Sequence, residues 1–209
     1  MQFIIRVLGF CNPHAQGRLT ATSPHVRSRA MKQLAFKDHL SLMARYNEVM
    51  NAKLVTLLAP IPTVQLQESR GAFFGSILGT LNHLMVADLV WLNRMRPQPY
   101  GAILAPLDSL PGPTALTDTL HSDMASFAPA RTELDALIRR FVDQLSDADI
   151  AGPLVYSNMR GEPFTKTLGL VLSHVFNHQT HHRGQITTLL NQMGLDVGVT
   201  DLAPLVPDL

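Results

Sequence analysis

The chain of 209 residues has one cysteine, Cys11, so an internal disulfide framework and a cysteine-ligated zinc finger are both excluded. Charge is scarce too. Only 16% of residues are Asp, Glu, Lys or Arg while 46% are hydrophobic, against roughly 25% charged in an ordinary soluble protein. That balance favours a well-buried fold or an oligomer. Seventeen basic and 16 acidic residues leave a net charge of +1. Electrostatic nucleic-acid binding needs a dense basic face, so no nucleic-acid partner is expected. The uncharged run Thr167–His182 is full of His, Asn, Gln, Ser and Thr, which is wrong for a membrane span.

Acidic residues are absent before Asp38, while Arg6, Arg18, Arg27 and Arg29 give the first thirty residues +4. From Met31 onward thirteen basic and sixteen acidic residues leave −3. The apolar stretch Phe3–Cys11 is broken by Arg6, against a secretory signal, and the bulky Phe10 before Cys11 is wrong for a lipoprotein site. The arginines and missing acids also suit an organelle transit peptide. We read residues 1–30, with Asn12-Pro13 and Ser23-Pro24 as turn formers, as an irregular extension upstream of a natural start at Met31. Residues 31–209 then form one helical domain, expected in the cytoplasm.

Hydrophobic periodicity predicts four long helices, hence an all-α, up-down four-helix bundle. The first runs from Met31 until Pro60 and Pro62 stop it, with a stripe that includes Leu34, His39, Leu42, Met43, Tyr46, Val49, Met50 and Leu54. The second spans about 72–94 and includes Phe74, Ile77, Leu81, Leu84 and Trp91. Pro97–Thr114 holds five prolines and two glycines, which predicts a long loop without regular structure, either a cover for a pocket or a passive connector. The third helix is expected from near Thr117 with a kink or restart at Pro129. A short hairpin turning at Arg160-Gly161 precedes the fourth helix, about 167–193, which Gly194 ends.

Four of the nine histidines fall within nine residues: His174, His178, His181 and His182. Helical positions four apart are offset by about 40°, so His174, His178 and His182 share a row. Val171, Val175, Ile186 and Leu189 flank that row and turn it inward. A buried imidazole without a partner is costly, and a divalent ion satisfies one nitrogen of each ring. Neutral imidazoles can bind zinc, nickel or iron without bringing carboxylates into the core. A third ligand must come from another helix. His83 in an apolar element is the best candidate and His39 a second; His14, His25 and His121 sit in tail-like or polar surroundings.

The run Asn177-His178-Gln179-Thr180-His181-His182-Arg183-Gly184-Gln185 closely resembles the signature of the DinB/YfiT-like family of metal-binding proteins. Leu81-Asn82-His83-Leu84, Trp91-Leu92, Arg45-Tyr46-Asn47 and the Tyr156…Gly161…Phe164 approach to the last helix fit it as well. The resemblance covers about Met31 to the C-terminus. It implies a four-helix bundle in which His83, His178 and His182 hold one divalent metal. It also implies a homodimer, and an activity of the kind found in family members that are small-thiol S-transferases or a thiol-dependent isomerase. His174, His181, Gln185, Asn82 and Asp88 are then expected around the ligands, and Arg183 in an ordinary salt bridge.

Three ligands leave a metal position open, the mark of a catalytic rather than a purely structural site. It suits a water of lowered pKa or the thiolate of a small thiol. Since Cys11 lies in the extension, thiol chemistry requires an external, low-molecular-weight cosubstrate. Two alternatives compete: a non-catalytic bundle stapled by its metal and acting through partners, and a metal-dependent hydrolase of small molecules.

Overall fold

The computed structural model describes residues 34–109 and 112–208; the N-terminal extension, with His14 and His25, lies outside them. The described chain is mostly helical with one two-stranded hairpin. Its elements are α1 (Phe36–Leu58), α2 (Thr63–Gln67), α3 (Ile77–Met95), a 3₁₀ helix (Gly101–Ser109), α4 (Met124–Gln144), α5 (Asp147–Ala151), β1 (Pro153–Ser157), β2 (Pro163–Thr167), α6 (Leu168–Gln192) and a 3₁₀ turn (Ala203–Leu205). Four long helices supply most of the core: α1 packs on α4 and α6, and α3 packs on α6. No helix among the described residues is long and apolar enough to cross a membrane.

The inward face of α1 is rotated from the expected stripe. Leu34 and His39 are exposed, Tyr46, Met50 and Leu54 of the expected stripe are buried, and the most deeply buried row runs Leu40, Ala44, Asn47, Asn51, Leu54 and Leu58. This is an unbroken alternation of fours and threes, the helical repeat. Two of its members are asparagines, which an apolar count passes over. They face inward because polar partners on α4 and α6 wait there, as described below.

Two departures from the sequence expectation, at the starts of α3 and α4, share a cause, namely local hydrogen bonds that divert a helical pattern. The segment before α3 is not helical: Gly75 adopts φ +75° and Gly71 φ +70°, and Ser76 caps α3 by accepting from the Gly79 amide at 3.0 Å. The third long helix begins at Met124 rather than near Thr117. The Asp118 carboxylate accepts from the Thr114 and Ala115 amides at 2.6 and 3.0 Å, closing a turn, while Asp123 caps α4 through Ser126 at 2.8 Å. The helix then continues through Pro129 without restarting. Within the proline-rich connection, Gly101–Ser109 forms a 3₁₀ helix that buries Leu104 and Leu107. Residues three apart eclipse in that geometry, so both face the core together. The segment is part of the core and not a loose cover.

The hairpin pairs Pro153 with Thr167 through Ser157 with Pro163, and Gly161 at φ +80° makes its turn. α6 follows β2 directly, with Gly194 at φ +76° past its end. The tail is fastened to α1 by two side chains. The Tyr46 hydroxyl and Lys53 Nζ each donate at 2.6 Å, to the carbonyls of Thr200 and Val199.

Candidate metal centre

His83 lies in the second turn of α3, and His178 and His182 lie one turn apart on α6, which packs against it. One ligand-capable nitrogen of each ring falls within 4.8 Å of the other two. The Nε2 atoms of His83 and His178 are 3.1 Å apart. Two nitrogens bound at 2.0–2.1 Å to one ion at a tetrahedral angle would be about 3.3 Å apart. The donor set therefore fits a divalent ion. Three imidazoles this close could bind one.

The outer nitrogens are held as well. His83 Nδ1 is 3.0 Å from the Leu116 carbonyl, which can only accept, so Nδ1 carries the proton and Nε2 presents its lone pair to the cluster. His182 Nδ1 lies 2.7 Å from Gln185 Oε1, which orients that ring the same way. The Gln185 amide reaches on to His181 Nε2 at 3.3 Å. Asn82 works at one remove: its side chain donates to the His121 carbonyl at 2.9 Å and accepts from the His121 amide at 2.8 Å. That clasp fixes to α3 the segment that follows Leu116.

Phe74 closes one side. Its ring stacks on His83 with centroids 3.7 Å apart and meets His182 edge-on at 5.5 Å. Gly79 permits this, since a Cβ there would lie 2.2 Å from the Phe74 carbonyl oxygen. His83 and His178, but not His182, line a cavity of about 360 Å³ together with Trp91, Arg94, Leu116, Arg160 and the exposed His174, among others. A larger cavity of about 480 Å³ between α3 and α4 is lined by Met85, Leu89, Pro106 and Leu137, not by the triad.

The remaining expected residues divide. His174 continues the row on α6 but is exposed, 6.1 Å from His178 between ring centres, and His181 is exposed on the next face. His39 stacks on Phe36 at the surface of α1. Asp88 is remote in role: its carboxylate is buried against Arg131 at 2.8 Å. Among the described residues Arg183 makes no salt bridge. Its buried guanidinium donates to Asn47 and, at 3.4 Å, to Asn51, beneath the Tyr46 ring. Phe74, the Leu116 carbonyl and Arg94 were not expected at the site. Gly71 and Gly75, which bracket the Ala72-Phe73-Phe74 stretch, were the one available sign; a backbone carbonyl leaves none.

Burial pulls His178 down to about 4, helped by the neighbouring rings of His182, His83, His174 and His181. Burial also lowers His182, against the Gln185 hydrogen bond. These two rings are neutral, and so able to ligate, at ordinary pH. The unfolded His178 titrates near 6.5, so between about 4 and about 6.5 the unfolded chain binds the extra proton. Stability of the metal-free protein should be fully present above that window and fall as pH drops through it. A denaturant midpoint that declines from pH 7 to pH 4, with a flatter profile in His178→Gln, is the expected result.

The DinB family model matches residues 31–205. The chain belongs to the DinB family. It is 27% identical over 171 residues to Protein DinB of Bacillus subtilis (strain 168), covering 82% of this chain and 92% of that protein. No solved structure gives a significant match. The matched span includes all three histidines of the cluster and leaves out the whole basic stretch 1–30.

Proposed function

We propose that this DinB-family chain is an up-down four-helix bundle, active as a homodimer, that holds one divalent ion through His83, His178 and His182. We read it as a metal-dependent enzyme that transfers a small external thiol to an electrophile. The observation that carries this reading is the convergence of three imidazole nitrogens within 4.8 Å, two of whose rings, His83 and His178, line a cavity of about 360 Å³. A metal staple without catalysis would need no such space. When bound, the ion supplies positive charge that favours a thiolate over a thiol at neutral pH.

The chain's own residues do the rest. Leu116 and Gln185 hold the imidazoles of His83 and His182 in the tautomer that turns Nε2 inward. Phe74 shields the triad from water on one side. In the reaction the thiol proton passes to solvent, a sulfur lone pair forms the new S–C bond, and the leaving group departs with its bonding electrons. Zinc, nickel and iron all suit the ligands.

The test is to load the protein with each metal in turn and supply small thiols with monochlorobimane, following conjugate fluorescence. Metal-dependent conjugation that disappears in His178→Ala is the expected result. Equal rates with and without metal would overturn the transferase reading, and metal-dependent hydrolysis of ester substrates without conjugation would replace it by a hydrolase.

A further inference from the structure

The cavity beside the triad has a second polar end. Arg94, half-buried on the last turn of α3, lies with its guanidinium carbon 4.5 Å from the Trp91 ring centre and 4.9 Å from that of Tyr156. Arg70, Arg96, Arg131 and Arg139 each meet a carboxylate, but among the described residues none pairs with Arg94. Arg160 reaches the same cavity from the hairpin turn and is likewise without a carboxylate partner among them. Burial lowers the Arg94 guanidinium from its usual range, with Tyr156 opposing. A cation taken partly out of water needs compensation, and two aromatic faces supply only part of it. The rings hold the guanidinium plane fixed, which prepares it for a flat, two-oxygen anion.

We propose that Arg94, assisted by Arg160, binds a carboxylate, so that the cavity takes an elongated small-molecule carboxylate whose other end lies at the histidine triad. Between His83 and Arg94 lie three helical turns, about 16 Å along α3. Ala87, Val90, Leu116 and Met159 line the cavity too and suit a hydrocarbon body in between. The proposal rests on the transferase reading for which end of the ligand reacts; the anion site itself does not depend on metal.

Trp91 is the sole tryptophan of the chain and lies beneath Arg94, so its emission reports occupancy directly. The probes are 6-mercaptohexanoate and its uncharged amide, titrated into metal-loaded and metal-free protein at about pH 8, where free imidazoles are neutral. The carboxylate should bind at least about tenfold more tightly than the amide in both forms, as a charge-assisted pair predicts. Arg94→Gln should erase that ratio, leave any metal-dependent gain intact, and keep the wild-type helical circular dichroism. Arg94→Lys should restore part of it. Equal binding of acid and amide, or a preference that survives Arg94→Gln, overturns the proposal even if metal binds. Failure to bind metal with the Arg94-dependent preference intact overturns the metal reading and leaves the anion site standing.

Discussion

His178→Ala protein, purified without a histidine tag and equilibrated with zinc, nickel or iron, should retain no stoichiometric metal, whereas the wild type should hold one ion per chain. His178 is the ring that α6 brings to 3.1 Å of His83, and its removal leaves two ligands where the cluster has three. Loss of an outer hydrogen-bond partner typically costs 10–100-fold in metal affinity, and loss of a ligand should exceed that. Gln185→Ala provides the graded comparison, because it frees His182 Nδ1 while leaving every ligand atom in place. Its affinity should fall within that 10–100-fold interval. His174→Ala and His181→Ala alter exposed rings and should bind as the wild type does. Competition against a chromophoric chelator ranks all five proteins. The metal stabilisation seen as a higher melting temperature should vanish in His178→Ala alone, since an ion that binds the folded state shifts the unfolding equilibrium by mass action. A wild type that takes up no metal, or a His178→Ala protein with unchanged affinity, would remove the metal centre altogether.

What was legible in the sequence was periodicity. The fourth long helix was expected over about 167–193 and spans Leu168–Gln192, because its apolar repeat is uninterrupted and Gly194 ends it. Periodicity also put His174, His178 and His182 in one row and left His83 and His39 as candidates for the partner on another helix; the family resemblance chose His83, His178 and His182 among them. Side chains that replace backbone partners were not legible. Asp118 looked like the acidic first turn of a helix, yet it closes a turn on Thr114 and Ala115. Asn47 and Asn51 lie outside the apolar stripe expected of α1, yet both donate to Asp135 Oδ1, at 3.1 and 2.9 Å. Their inward orientation is fixed by one residue, 88 and 84 positions away in sequence from them, so no local pattern encodes it. The same holds for Arg94, whose neighbours on the hairpin come from the other side of the chain.

Replacing Arg131 with methionine should destabilise the protein by about 3–5 kcal/mol, the usual consequence of removing one partner from a buried ion pair. Arg131 on α4 donates to Asp88 on α3 at 2.8 Å and to both Asp135 oxygens at 3.0 and 2.7 Å. All three residues are under 5% exposed. Arg183 joins them through Asn47 and Asn51, so two carboxylates and two guanidiniums sit together in the core and cancel in charge. Burial already pushes Asp135 up to about 6 against the pull of Arg131 and the Asn51 amide, and it raises Asp88 too. Without the guanidinium both carboxyls must rise further. An unfolded aspartate titrates near 3.9, so between that value and the folded one the folded state binds the extra proton. The variant therefore gains stability as pH falls through that range. Its deficit against the wild type should accordingly be largest near pH 8 and shrink toward pH 5, in paired urea unfolding at each pH. A deficit that stayed constant would mean that lost packing, not an uncompensated carboxylate, causes the damage. The network also bears on the metal centre, because Asp88 shares α3 with His83 and Arg183 adjoins His182 on α6. At neutral pH the variant's metal affinity should fall along with its stability, and acidification cannot restore it, since protons compete for the same imidazoles.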